Sequence, residues 1–170
     1  MLYPPSDTFA PVYPPHTFNP TTPLVAVDAI VLWRNQVLMV ERKYEPLGLA
    51  LPGGFVDVGE TLEAAVRREA QEEVALTLPK AIYLGYLDDP ARDPRRHVIS
   101  HGFAFCIPNE EDCKPVAGDD AAHAAFYALS SLAKPVLGHG EFIKRAMRTP
   151  EGQWHVQFFG VPTARYDFGW

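Results

Sequence analysis

One stretch constrains this chain more than any other: Leu51 to Leu76, LPGGFVDVGETLEAAVRREAQEEVAL. It opens on a Pro-Gly-Gly turn and passes through Gly59-Glu60. From Thr61 to Val74 it runs without Gly or Pro, in the Glu- and Arg-rich composition of a helix, with Thr61 a candidate N-cap and Gly59 or Glu60 the alternative starts. At about 100° per residue, Leu62, Ala65 and Val66 set the inward face. The same count brings Glu69 and Glu73 within roughly 20° of Leu62 and Glu72 close to Ala65, while Arg67, Arg68, Ala64 and Gln71 point away. A Glu-rich helix is ordinarily a solvated face, with its acids opposite the apolar stripe. Here the acids prolong the stripe.

Carboxylates at i, i+3 and i+4 are neighbours, and their mutual repulsion is relieved by a cation. Oxygen donors without His or Cys select Mg²⁺ or Mn²⁺ over zinc. The helix therefore reads as a divalent-metal site built on Glu69, Glu72 and Glu73. Gly53 and Gly54 alone would be an ordinary tight turn. Beside an acidic cluster, their freedom to approach a ligand makes the Gly53 carbonyl a further candidate ligand.

The rest of the chain supplies a scaffold. Leu24–Trp33, LVAVDAIVLW, is apolar on both alternating faces except at Asp28, the pattern of a central strand covered on both sides. Strands are expected at Val37–Arg42, Leu49–Leu51, Ala81–Leu87, His97–Ile107 and Ala125–Leu129, with a late edge strand at Gln153–Gly160. A second helix is expected over Glu141–Arg148, with Phe142, Ile143, Ala146 and Met147 on one stripe. Strands before, between and after two helices predict one α/β domain, a mixed sheet with helices on its faces.

Length and charge bound the function. At 170 residues the chain holds one domain, expected over residues 24–150. A net charge of −6 argues against sequence-independent nucleic-acid binding, though not against anionic small molecules bound through a metal. Cys106 and Cys113 have no metal-ligand spacing and read as reduced thiols. No secretory signal or membrane-length apolar run is visible, so a cytoplasmic location is expected. Residues 1–23 hold seven of the 17 prolines (Pro4, Pro5, Pro11, Pro14, Pro15, Pro20, Pro23) among Tyr3, Phe9, Tyr13 and Phe18, an extended arm. This arm and the aromatic tail 151–170 hint at a homodimer with exchanged segments.

The central stretch resembles the signature of the Nudix hydrolase family: Gly, five residues, Glu, seven residues, then Arg-Glu-apolar-x-Glu-Glu-x-Gly-apolar. Gly54, Glu60, Arg68, Glu69, Glu72 and Glu73 match at the required spacing. Six identities would recur by chance in roughly one window in 10⁷ at average residue frequencies. Ala75 replaces the usual Gly, implying a left-handed position that costs a non-Gly residue about 1 kcal/mol. The resemblance implies an α/β/α sandwich and hydrolysis of a nucleoside diphosphate linked to another moiety. It further implies that Glu69 and Glu73 bind catalytic metal, that Glu72 joins them or orients a water, and that Glu60 and Arg68 brace the loop against the helix.

The substrate is read from weaker features. Asp89–Ser100, DPARDPRRHVIS, and the Gly118-Asp119-Asp120 stretch resemble the ADP-ribose pyrophosphatase subgroup, which implies ADP-ribose cleaved to AMP and ribose 5-phosphate. A pyrophosphohydrolase of nucleoside triphosphates or of another dinucleotide or nucleotide sugar is the alternative, and a non-catalytic nucleotide sensor is the alternative of another class. Arg92, Arg95 and Arg96 form a basic cluster whose planar forks suit phosphate. Ala125 stands where many relatives place a general-base Glu. Asp120 is taken as the candidate instead, with Asp119, Glu110 and Glu111 nearby.

Overall fold

The structure is a computed structural model that describes residues 22–108, 115, 121–152 and 169–170. Along it run β1 (Leu24–Trp33), β2 (Gln36–Arg42), β3 (Leu49–Ala50), β4 (Gly53–Phe55), α1 (Leu62–Val74), β5 (Ile82–Leu87), β6 (Val98–Cys106), β7 (Ala121–Ala128) and α2 (Gly140–Ala146). Most of the arm, the tail strand at 153–160, Cys113 and the acids Glu110, Glu111, Asp119 and Asp120 lie outside the described residues.

The apolar run of β1 becomes the centre of a mixed sheet because its residues alternate between two apolar layers. Val27, Ala29 and Val31 join Ala65, Val66, Ala70 and Val74 of α1, with Phe103 and Phe105 of β6. Ile30 and Leu32 face the opposite way, onto Phe142, Ile143 and Ala146 of α2. The result is the expected α/β/α sandwich.

One edge of β1 is taken by β6, in parallel from Leu24↔Val98 to Leu32↔Cys106, with β5 antiparallel beyond it. The other edge is shared. β2 pairs with it only at Leu32↔Val37 and Trp33↔Gln36, while β4 pairs at Ala26↔Phe55, Val27↔Gly54 and Asp28↔Gly53. The far half of β2 carries β3 instead, while β7 pairs along the whole of β2, from Gln36↔Ala128 to Arg42↔Ala121. Leu51-Pro52 carries the chain from β3, attached to β2, onto β1. A cleft opens where β2 leaves β1.

Three expectations are corrected. The Pro-Gly-Gly turn is the entrance to a strand: β4 pairs with β1 because a Cβ on Gly53 would lie 2.1 Å from the Val27 carbonyl oxygen. The strand expected over Ala125–Leu129 begins earlier, at Ala121. The buried stripe of α1 is Ala65, Val66, Ala70 and Val74. Its centre is therefore rotated away from Leu62, which leaves Glu69 and Glu73 at its margin. Glu72 projects outward with its side chain 60% exposed, and Arg68 lies beside the acids instead of opposite them.

The ends of α1 follow the sequence. The Thr61 side chain accepts from the Ala64 N–H at 3.2 Å. Ala75 closes the helix in the left-handed region at φ 54°, ψ 32°, with its N–H donating to the Gln71 carbonyl and that of Leu76 to Ala70. No helix among the described residues is long and apolar enough to cross a membrane.

Candidate active site

Arg68 organises the acidic side. Its Nε and Nη2 donate to the two Glu60 carboxylate oxygens at 3.0 and 2.9 Å, its Nη2 also to the Phe55 carbonyl at 3.0 Å. Its Nη1 donates to Glu69 at 2.8 Å and Glu72 at 3.1 Å. These bonds tie the loop after β4 onto α1, and the bond from Arg68 holds the Glu60 carboxyl below its usual range. Glu69 is different. Burial pushes its carboxyl up despite Arg68, so its ionised form calls for more positive charge than one shared guanidinium supplies.

The glycines fit against these carboxylates. A Cβ on Gly54 would meet Glu69 Oε1 at 2.4 Å, so the Glu69 carboxylate occupies the space a side chain would fill. The Gly53 N–H donates to Glu73 Oε2 at 2.9 Å. Among the described residues, no three acidic, His or Cys side chains converge tightly enough to hold an ion as they stand; Arg68 spans Glu69 and Glu72. The donor set nevertheless fits a hard divalent cation: oxygen ligands only, one of them a half-buried carboxyl raised by desolvation, packed against a glycine.

Gly53, Gly54, Phe55 and Glu73 line a pocket of about 300 Å³ that also borders β1 at Ala26 and Asp28 and β2 at Val40–Arg42. The same lining also carries the cations Arg42, Lys43, Arg92 and Arg95. Asp93, only 6% exposed, grips Arg95 with both carboxylate oxygens, from Nε at 2.9 Å and Nη2 at 2.7 Å. That pairing depresses the Asp93 carboxyl and raises the Arg95 guanidinium. Burial, and then the nearby charge of Arg95, push Arg42 the other way. Two cations held close enough to disfavour each other make a receptive site for an anion.

Part of the lining is sealed from solvent. Asp28, Ser100 and His139 belong to it and are 5%, 1% and 4% exposed. Ser100 Oγ donates to Asp28 Oδ2, and Asp28 Oδ1 lies 3.4 Å from His139 Nε2. His139 Nδ1 accepts from the Leu51 N–H at 2.9 Å. Burial lowers the His139 pKa, so the ring is neutral with its proton on Nε2. Arg92 caps this region, its Nη1 on the Leu137 carbonyl at 2.8 Å and its Nη2 on that of Val98 at 3.2 Å.

Of the residues expected from sequence, Gly53, Glu73, Arg92 and Arg95 meet at this pocket, with Glu69 and Glu72 beside it on α1. Arg92 is engaged with backbone carbonyls, and Arg96 is exposed and lies outside the lining. Asp120 lies outside the described residues. Arg42, Asp28, Ser100 and His139 were missed. Only Asp28 had a visible signal, as the single charge in the apolar run of β1.

The NUDIX domain family model matches residues 22–148. The chain belongs to the Nudix family. As a Nudix hydrolase it is 44% identical over 132 residues to an ADP-ribose pyrophosphatase of Methanocaldococcus jannaschii, covering 76% of each chain. Among solved structures it is similar to the NUDIX domain of Shewanella oneidensis NrtR complexed with ADP ribose, at TM-score 0.70 and 25% identity, covering 79% of this chain and 92% of that one. It is also similar to a bifunctional NMN adenylyltransferase/ADP ribose pyrophosphatase of Francisella tularensis complexed with AMP and Mn ion. There the TM-score is 0.63 and the identity 30%, over 75% of this chain and 41% of that one.

Proposed function

We propose that this Nudix hydrolase cleaves ADP-ribose to AMP and ribose 5-phosphate with Mg²⁺ or Mn²⁺. The observation that carries the reading is one pocket of about 300 Å³ whose lining brings Arg42 and Arg95 together with Gly53 and Glu73. Pocket size suits one nucleotide-sized ligand. Support also comes from the relatives, two of which bear the name of this activity and one of which binds ADP ribose.

In this reading the planar fork of Arg95, fixed by Asp93, and the Arg42 guanidinium beside it bind the diphosphate. Tyr44, at the mouth and 70% exposed, offers a flat face to a base. Glu69, Glu72 and Glu73 would hold the cation, with Arg68 bracing Glu60 and the loop after β4 against α1. The cation, when bound, supplies charge neutralisation and an acidified water. Glu73 stays registered to the pocket wall through the Gly53 N–H.

The test is a nucleotide panel with Mg²⁺ and Mn²⁺ in H₂¹⁸O, with products identified by mass. AMP and ribose 5-phosphate from ADP-ribose, with one ¹⁸O on one product, is the expected result. ADP-ribose left intact while other nucleotides are cleaved overturns the substrate. Binding of ADP-ribose with no turnover of any nucleotide favours the sensing alternative.

A further inference from the structure

His139 comes from the far end of the domain, at the entry to α2, yet its ring reaches the segment that leads into the acidic cluster. Leu51 donates to its Nδ1 at 2.9 Å. Two residues on, the Gly53 N–H donates to Glu73 at 2.9 Å, and between them the Pro52 carbonyl accepts from Ala29 at 2.8 Å. The loop carrying His139 is tied to the same segment again, by the Val136 N–H on the Leu49 carbonyl at 2.9 Å. Leu137 and Gly138 both take positive φ, 57° and 69°, and Arg92 holds that bend through the Leu137 carbonyl. Such a conformation persists where the surroundings over-determine it.

We propose that His139 is a positioning residue for the metal carboxylates, acting through the backbone of Leu51–Gly53 to set where Glu73 stands. Leu51-Pro52 is the two-residue crossing from β3 to β4, tied to β1 by the Ala29 N–H on the Pro52 carbonyl. An acceptor is required there, because a buried Leu51 N–H left unpaired costs about 1–3 kcal/mol. Asp28 and Ser100 ensure that the ring offers one. The carboxylate lies 3.4 Å from Nε2 and favours the proton on that nitrogen, which leaves Nδ1 as a lone-pair acceptor. The chain is then continuous from the floor of the pocket to the acidic helix: Asp28, His139, Leu51, Gly53, Glu73.

Chemistry separates this role from space filling. An Asn side chain can place its carbonyl oxygen near the Nδ1 position, whereas Gln reaches to the Nε2 position and leaves Leu51 without its acceptor. The full chain is compared as wild type, His139→Asn, His139→Gln and His139→Ala by three measurements. These are Mn²⁺ affinity from electron paramagnetic resonance without nucleotide, amide hydrogen exchange at Leu51 and Gly53, and kcat and KM for ADP-ribose. Expected for the Ala and Gln variants is a loss of about 10–100-fold in Mn²⁺ affinity and kcat, the range typical of outer partners of metal ligands. KM should change little, and exchange at both amides should be faster. The Asn variant should retain wild-type behaviour within about three-fold.

Only the kinetic arm rests on the ADP-ribose reading. If wild type leaves ADP-ribose intact, that reading fails while Mn²⁺ affinity and exchange still decide this one. If His139→Ala does not fold, the Asn–Gln pair decides. Equal Mn²⁺ affinity in Asn and Gln variants, or wild-type affinity in a folded Ala variant, overturns the positioning role.

Discussion

The acidic helix and the pocket floor meet at Gly53 but are made on opposite principles. The helix gathers its groups from Glu60 to Glu73, close in sequence, and leaves them partly open, with Glu72 60% exposed and Arg68 27% exposed. One guanidinium serves three carboxylates, an arrangement that a divalent ion can rearrange. The floor draws Asp28, Leu51, Arg92, Ser100 and His139 from across the chain, and each of its polar side chains except Arg92 is nearly sealed from solvent. There each Asp28 oxygen has its own partner, Oδ2 taking Ser100 and Oδ1 facing His139. The contrast teaches a division of labour: charge that must change partners is kept local and wet, and geometry that must not change is fixed by distant residues and kept dry.

The largest effect should come from the wet side. Glu73→Gln keeps the size of the side chain and an acceptor for Gly53 while removing the charge, so kcat should fall by roughly 10²–10³-fold. Its melting temperature should match or exceed wild type, because a repelling carboxylate is gone. Steady-state kinetics beside calorimetry checks both, and unchanged turnover would remove Glu73 from the active site.

Gly54→Ala probes the seam between the two regions. The added Cβ would lie 2.4 Å from Glu69 Oε1, so the carboxylate must move. Mn²⁺ affinity should weaken by about 10–100-fold with the fold retained. Wild-type affinity would mean that Glu69 can serve from another rotamer.

The dry side should respond to pH. The His139 pKa is lowered on folding by burial, so the unfolded chain takes up the proton first, near pH 6.5. The stabilising contribution is complete above that pH and is lost as pH falls toward the folded value, at no more than about 1.4 kcal/mol per pH unit. Denaturant unfolding at pH 7.5, 6.5 and 5.5 should show His139→Asn losing less stability than wild type over this range. His101, also lowered by burial, is common to both proteins and drops out of the difference. Identical slopes would contradict a neutral His139.

The smallest effect lies outside both regions. Ala75 sits at φ 54°, where a side chain is strained, and Ala75→Gly should stabilise the domain by about 0.5–1 kcal/mol, after allowing for the freer unfolded glycine. Activity should be unchanged; a loss of stability would show that the Ala75 methyl contributes packing that outweighs the strain.

What could be read in the sequence follows the same division. The periodicity of β1, the Thr61 cap, the strain at Ala75 and the Gly54–Glu73 spacing are local, so they were legible without tertiary information. The phase of α1 was read from its first turn, and the true face, set by Ala70 and Val74 against β1 and β6, turned Glu72 outward. Among the three clustered arginines, spacing could not tell that Arg95 faces the pocket, Arg92 braces a loop and Arg96 stands outside. Arg42, Ser100 and His139 carried no signal, because each is alone in sequence and is brought to the pocket only by the way β1 shares its edge between β2 and β4.

That shared edge also sets a rule for how relatives of this chain can vary. Leu51-Pro52 spans the step between two strands with no slack, and strand faces alternate with every residue. Adding or deleting one residue there would slip β4 by one position against β1, exchanging the faces to which the Gly53 and Gly54 Cα hydrogens point and the edges to which their carbonyls point. Substrate-choosing loops elsewhere can grow or shrink, but the length of this crossing is a ruler that change cannot stretch.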